Sequence, residues 1–118
     1  DQIKPILDQY EFAIVDPGQL KIEEQIALMR KCEILGGVHG AGLTNMMFLP
    51  QGAKILELRR YDDKLNNCYF SLASALVHGY YYQLCDVNDE SLPTQRNTFL
   101  VNPAAFEKTI STIVNKYV

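Results

Sequence analysis

Apolar positions recur along this chain with two different periods, and the alternation between them lays out its elements. Ile3, Ile6, Leu7 and Tyr10 fall at i, i+3, i+4 and i+7, one face of a short helix. The unbroken run FAIV at 12–15 reads as a buried strand, closed by Asp16-Pro17-Gly18, a turn triplet. Ile22, Ile26 and Met29 then share a face of a helix expected across about 20–32. Its acids, Glu23 and Glu24, come first and its bases, Arg30 and Lys31, last, the order a helix dipole favours. ILGGV enters a glycine-rich turn, and a brief helix is expected from Leu43 to Leu49, ended by Pro50-Gln51-Gly52. KILEL at 54–58 reads as the next strand.

Asn66 or Asn67 caps a helix striped by Tyr69, Leu72, Ala73 and Leu76, with Gly79 at its stop. YYYQLC at 80–85 and TFLV at 98–101 read as strands around a polar loop. A last helix is capped by Asn102, begins at Pro103 and buries Phe106, Ile110, Ile113, Val114 and Tyr117. Short apolar strands alternating with helices predict an α/β fold, a three-layer Rossmann-like parallel sheet. Ligands in such sheets bind beyond the carboxyl ends of the strands. The glycine turn lies at one such end, and Glu57 and Arg59 at another.

Composition narrows the classes. The chain has 118 residues, 47% of them hydrophobic, enough for one domain (1–118) with a real core. A net charge of −3, with no basic cluster beyond Arg59-Arg60, argues against a nucleic-acid surface. No apolar run approaches the roughly 20 residues needed to span a bilayer. The chain starts without Met or a signal-peptide core, and is expected to be a piece of a longer protein. Cys32, Cys68 and Cys85 are too few and too widely spaced for a disulfide framework or a zinc site, and read as buried, inert thiols.

The candidate chemistry sits at residues 36–45, where Gly36, Gly37, Gly40 and Gly42 fall within seven residues. Gly37 to Thr44 matches a phosphate loop except that Leu43 stands where the lysine belongs. Gly40 to Asn45 matches a dinucleotide fingerprint except for Asn45 at the third glycine. Both near-misses share a physical core: bare backbone that an anion can approach, with helix N–H groups beyond it. Thr44 and Asn45 read equally as ligand contacts or as helix caps. His39 reads as a satisfied structural residue or as an N–H donor to a phosphate. HGAG resembles a lipase oxyanion segment, but no serine is flanked as G-x-S-x-G. Asp62-Asp63 and the acids Asp86, Asp89 and Glu90 lack calcium-loop spacing and read as solvated. The tyrosines at 80–82 read as packing, and His78 as a helix-end partner of the dipole.

Taken in order, Asp16-Pro17, Glu24-Gln25, Gly37-x-His39-Gly40-Ala41-Gly42-Leu43-x-Asn45, Phe48, Pro50, Gly52 and Glu57 resemble glycosyltransferase family 61. That family includes bacterial capsular-polysaccharide proteins and eukaryotic xylosyl- and N-acetylglucosaminyltransferases. The resemblance covers about residues 12–60 and is loose beyond. It implies the C-terminal, donor-binding half of an inverting GT-B glycosyltransferase, with the acceptor site and catalytic base in an absent N-terminal half. The catalytic residues therefore remain unknown, and the isolated chain is expected to be inactive.

On this reading His39, Gly40, Ala41, Gly42, Leu43, Thr44 and Asn45 hold the diphosphate of a nucleotide sugar, a UDP-sugar by family likeness, without a metal or other cofactor. Glu57 is a candidate for bonding the ribose or base, its structural alternative being an ion pair with Arg59 or Arg60; Gln25 reads as structural. The implied partners are the donor and a glycan or polysaccharide acceptor, with a homodimer covering any exposed cleft face. The implied setting is cytoplasmic or membrane-associated in a bacterium and the secretory lumen in a eukaryote. The rival readings are a non-enzymatic nucleotide- or anion-binding module and a plain interaction domain whose glycines serve only packing.

Overall fold

The computed structural model describes residues 2–63 and 67–114. Four strands, β1 (Ile34–Val38), β2 (Lys54–Arg60), β3 (Gly79–Val87) and β4 (Phe99–Leu100), form one sheet in the order β1-β2-β3-β4. β1, β2 and β3 run parallel, and β4 pairs antiparallel to the end of β3. The helices are α1 (Lys4–Gln9), α2 (Ile22–Met29), α3 (Cys68–Ala75) and α4 (Pro103–Val114). A 3-10 helix, Ala41–Phe48, crosses from β1 to β2, and α3 crosses from β2 to β3.

The three-layer arrangement expected from the alternation is present. On one face, Ile55 packs with Met29 of α2, Leu43 and Met46 of the 3-10 helix and Ala73 of α3. On the other face, Leu56, Leu58 and Cys85 pack with Phe106, Ile110 and Ile113 of α4, and Ile3, Ile6, Leu7 and Tyr10 of the α1 segment lie against them. Alternation along β2 explains the split, since successive side chains leave opposite faces. Asn102 caps α4 as its position predicts, accepting from the Ala105 N–H at 3.0 Å. Tyr117 and Asn66 lie outside the described residues.

Several expectations are corrected. Residues 12–15 form no strand; Phe12 reaches the core, whereas Ile14 is 70% exposed. An apolar run becomes a strand only where a ladder partner lies beside it, and none does here among the described residues. The 98–101 strand shrinks to Phe99–Leu100 and runs antiparallel. Its connection from β3 holds only the 3-10 turn Thr94–Arg96, whereas a parallel return needs a longer crossover, usually helical. α3 ends at Ala75, short of Gly79, which opens β3, and Val77 beyond the helix sits in the left-handed region at φ 60°. α2 ends at Met29, which leaves Arg30 and Lys31 beyond its last turn. Of the three thiols only Cys85 is buried, and Cys68 is exposed. His78 meets the Met46 carbonyl oxygen at 3.0 Å and so ties α3's exit to the 3-10 helix. Asp62 and Asp63 are ion-paired, to Arg60 at 3.0 Å and Arg59 at 3.3 Å.

Candidate functional site

Two of the four clustered glycines belong to β1 rather than to the turn. Gly36 and Gly37 sit in register opposite Leu56 and Glu57 of β2, and a side chain at Gly37 would meet Leu43 at 3.4 Å. These two glycines belong to the strand, and a Cβ on either would make only ordinary contact. The chain leaves the sheet at His39, whose N–H still donates to the Leu58 carbonyl at 2.9 Å. The loop thus opens at the carboxyl end of a parallel strand, the place such sheets reserve for ligands.

Gly40 and Gly42 lie in the turn itself. Gly40 is extended, with φ 166°, and a Cβ on it would make only ordinary contact with the Val38 oxygen at 3.7 Å. Gly42 is exposed, and a Cβ there would meet nothing within 4 Å. Neither packing nor backbone conformation requires glycine at either position. The 3-10 helix begins at Ala41, and the Leu43 N–H closes its first turn on the Gly40 carbonyl at 3.0 Å. Leu43 is 2% exposed, so its side chain anchors the loop to the core.

Because the helix begins at Ala41, the capping alternative for Thr44 and Asn45 is lost: both lie inside it. Thr44 is exposed, and Asn45 Nδ2 donates to Gln25 Oε1 at 3.4 Å. Gln25 in turn donates to the carbonyls of Pro17 at 2.9 Å and Leu20 at 3.1 Å, so its structural reading holds.

Glu57 is the largest surprise. The sequence placed it at the end of a strand that stops at 58. β2 instead runs to Arg60, which puts Glu57 in mid-strand and fully buried. An unpaired buried carboxylate is costly, and this one is satisfied on both oxygens. His39 Nδ1 meets Oε2, and the Tyr80 hydroxyl donates to Oε1. The ion pair expected with Arg59 or Arg60 is replaced by this contact with His39. Both oxygens are thus engaged inside the protein, on a side chain with no exposed surface. Arg59 reaches Tyr80 as well, and its Nη1 donates to Asn67 Oδ1 at 2.9 Å, securing the start of α3. His39 is held on its other side by Tyr69, edge to face with ring centroids 4.9 Å apart.

The electrostatics follow this network. Burial pushes the Tyr80 phenol well above its ordinary value, and the hydrogen bond to Glu57 and that group's charge add to the rise. Burial lowers the Arg59 guanidinium, but its bond to Tyr80 and the charges of Glu57 and Asp63 outweigh that and raise it.

The folded chain thus holds the Tyr80 proton more tightly than the unfolded chain does. The resulting stability is fully present below the ordinary tyrosine value of about 10, and is lost as pH rises through the raised folded value. Urea unfolding midpoints are therefore expected to fall more steeply above about pH 10 in the natural chain than in Tyr80→Phe. Equal slopes would remove Tyr80 from the linkage.

Tyr80 is a residue that sequence reasoning assigned mainly to packing. The one available signal was an acid inside the apolar run KILEL, which demands a partner; which strand supplies it depends on register. Among the described residues no group of three or more His, Cys, Asp or Glu side chains could hold a metal ion.

The sequence model of the family described as Glycosyltransferase 61 matches residues 1–56. An EGF domain-specific O-linked N-acetylglucosamine transferase of Drosophila melanogaster is 38% identical over 86 residues, 73% of this chain and 16% of that protein. Proteins of the same name from Xenopus laevis and Gallus gallus are 34% identical over 73 residues and 40% over 55. These stretches are 13% and 10% of the two relatives, so the chain spans only a small part of the proteins it matches.

Proposed function

The chain belongs to glycosyltransferase family 61, and from that premise we propose that it is the donor-binding domain of an inverting, two-domain GT-B glycosyltransferase. The loop from His39 to Asn45 binds the diphosphate of a nucleotide sugar, with uridine diphosphate as the nucleotide. The observation that carries this reading is the pair Gly40 and Gly42, which lie bare at the carboxyl end of a parallel strand with no structural need to be glycine.

Backbone N–H groups around Gly40 to Gly42 donate to the phosphate oxygens, backed by the start of the 3-10 helix. They hold the charge that grows on the leaving nucleotide as the sugar departs, without a metal. The names of the relatives point to N-acetylglucosamine as the sugar and to an EGF domain as the acceptor. The acceptor site and the base belong to the other half of the enzyme. Phe70, Tyr82 and Leu84, exposed on the α3 side of the sheet, suit burial against that half or against a second copy of this domain.

Titrating the chain calorimetrically with uridine diphosphate, with and without magnesium, tests the reading. Saturable binding that is indifferent to magnesium is expected. No heat at millimolar nucleotide would overturn it.

A further inference from the structure

The carboxyl end of β2 carries a feature that the donor loop leaves unused. Tyr61 is the first residue past the strand, and its N–H donates to the Cys85 carbonyl of β3 at 2.9 Å, which fixes its backbone where both strands end. Tyr61 is 41% exposed, and its hydroxyl donates to the Glu90 carboxylate. Among the described residues no other aromatic ring stacks on it. The ring is thus tethered by its polar tip, with an apolar body left for something else to cover.

Glu90 is itself held in place. It belongs to the loop 88–98 between β3 and β4, which folds back on itself. Asp89 accepts from the Ser91 N–H at 3.0 Å and from the Ser91 hydroxyl at 2.6 Å, and the Asn97 amide donates to the carbonyls of Asp89 and Leu92. Arg60 clips that loop to β2. Its Nη1 donates to the Leu92 carbonyl at 2.6 Å and its Nη2 to the Glu90 carbonyl at 3.2 Å, while Nε pairs with Asp62 at 3.0 Å. A guanidinium spent on two carbonyls and an acid holds structure, and what it holds is the partner of Tyr61.

Position says what the ring meets. Val38, the last residue of β1, is in register with Leu58. Tyr61 therefore lies one strand over and three residues further on, roughly 10 Å away by sheet geometry. A nucleoside diphosphate is about that long. With the diphosphate on the loop that leaves β1, the sugar faces the half of the enzyme that carries the acceptor. The nucleoside then extends over this domain's own strand ends.

We propose that Tyr61 is the platform on which the nucleotide base stacks, with Glu90 and Arg60 as the positioning residues that fix its ring. This rests on the donor-site reading above. A ring already tethered loses little freedom when a base settles on it. Stacking accepts any base, so Tyr61 supplies affinity and sets the angle of the nucleoside rather than choosing among bases.

Uridine diphosphate and inorganic pyrophosphate, titrated in parallel, separate the base from the phosphates. Tyr61→Ala should weaken uridine diphosphate binding about 5- to 150-fold, the loss that one stacked ring brings, and leave pyrophosphate unchanged. Tyr61→Phe keeps the ring and should retain most of the affinity. Glu90→Ala should cost less than Tyr61→Ala, and nothing further in the Tyr61→Ala background, because it acts only through that ring. Proton NMR of the natural chain should show the Tyr61 ring signals shifted by uridine diphosphate and not by pyrophosphate, which decides the matter even if Tyr61→Ala does not fold. Equal losses for both ligands, an unchanged affinity in Tyr61→Ala, or ring signals that uridine diphosphate leaves in place would overturn the platform while the loop's hold on pyrophosphate stands. Binding of neither ligand to the natural chain would bring down the donor-site reading, and this inference with it.

Discussion

Gly42→Val is expected to weaken uridine diphosphate binding by about 10- to 150-fold, the loss that goes with one hydrogen bond to a charged group. Its thermal midpoint should stay within a few degrees of the natural chain's, since an exposed substitution without clash costs at most about 0.5 kcal/mol. Both halves of the expectation come from the same fact. A Cβ at 42 meets open space, and the backbone there is not in the left-handed region that favours glycine. The valine methyls therefore disturb nothing in the protein and occupy only the volume through which a diphosphate would reach the loop amides. Calorimetry and a melting curve on the same variant check it. Unchanged affinity would take the loop out of the site, and a collapsed midpoint would mean that the glycine is structural after all.

Ile55→Ala carries the largest expected loss of stability. Ile55 is fully buried on the central strand, between Leu35 of β1 and Tyr80 of β3 in register, and anchors the cluster shared by α2, the 3-10 helix and α3. Truncating such a side chain costs its transfer energy plus a cavity, about 2–5 kcal/mol. A domain of this size has roughly 5–15 kcal/mol in total. Urea unfolding should show a lower midpoint with an unchanged slope. A loss under about 1 kcal/mol would mean that the site collapses around the deletion. Because Leu43 and Met46 rest on the same cluster, the variant should also loosen the loop from His39 to Asn45, a coupling that Gly42→Val lacks.

The two variants separate what the loop is made of from what it stands on. His39, Gly40 and Gly42 were legible as a motif, and the structure keeps them together at the end of β1. Gly36 and Gly37 looked like part of the same device and are part of the strand. Thr44 and Asn45 looked like caps because the helix was expected to start two residues later than it does. Sequence reasoning treated Glu57 as a strand-end acid because periodicity does not fix where a ladder ends. Two more residues of pairing turned an exposed group into a buried one.

Some features of this chain need nothing beyond local chemistry. The α4 stripe of Phe106, Ile110 and Ile113, the Asn102 cap, the Asp16 turn and the β1–β3 runs are set by side-chain periodicity and backbone preference, which act over a few residues. Those terms also required alternating strands and helices, and so a layered sheet. The strand direction of β4, the irregular path of residues 12–15 and the joining of His39, Glu57 and Tyr80 depend on which backbones lie side by side. Register is decided by the summed packing of both sheet faces. It brings together positions 18 and 23 residues apart, a relation that no local pattern in the sequence carries.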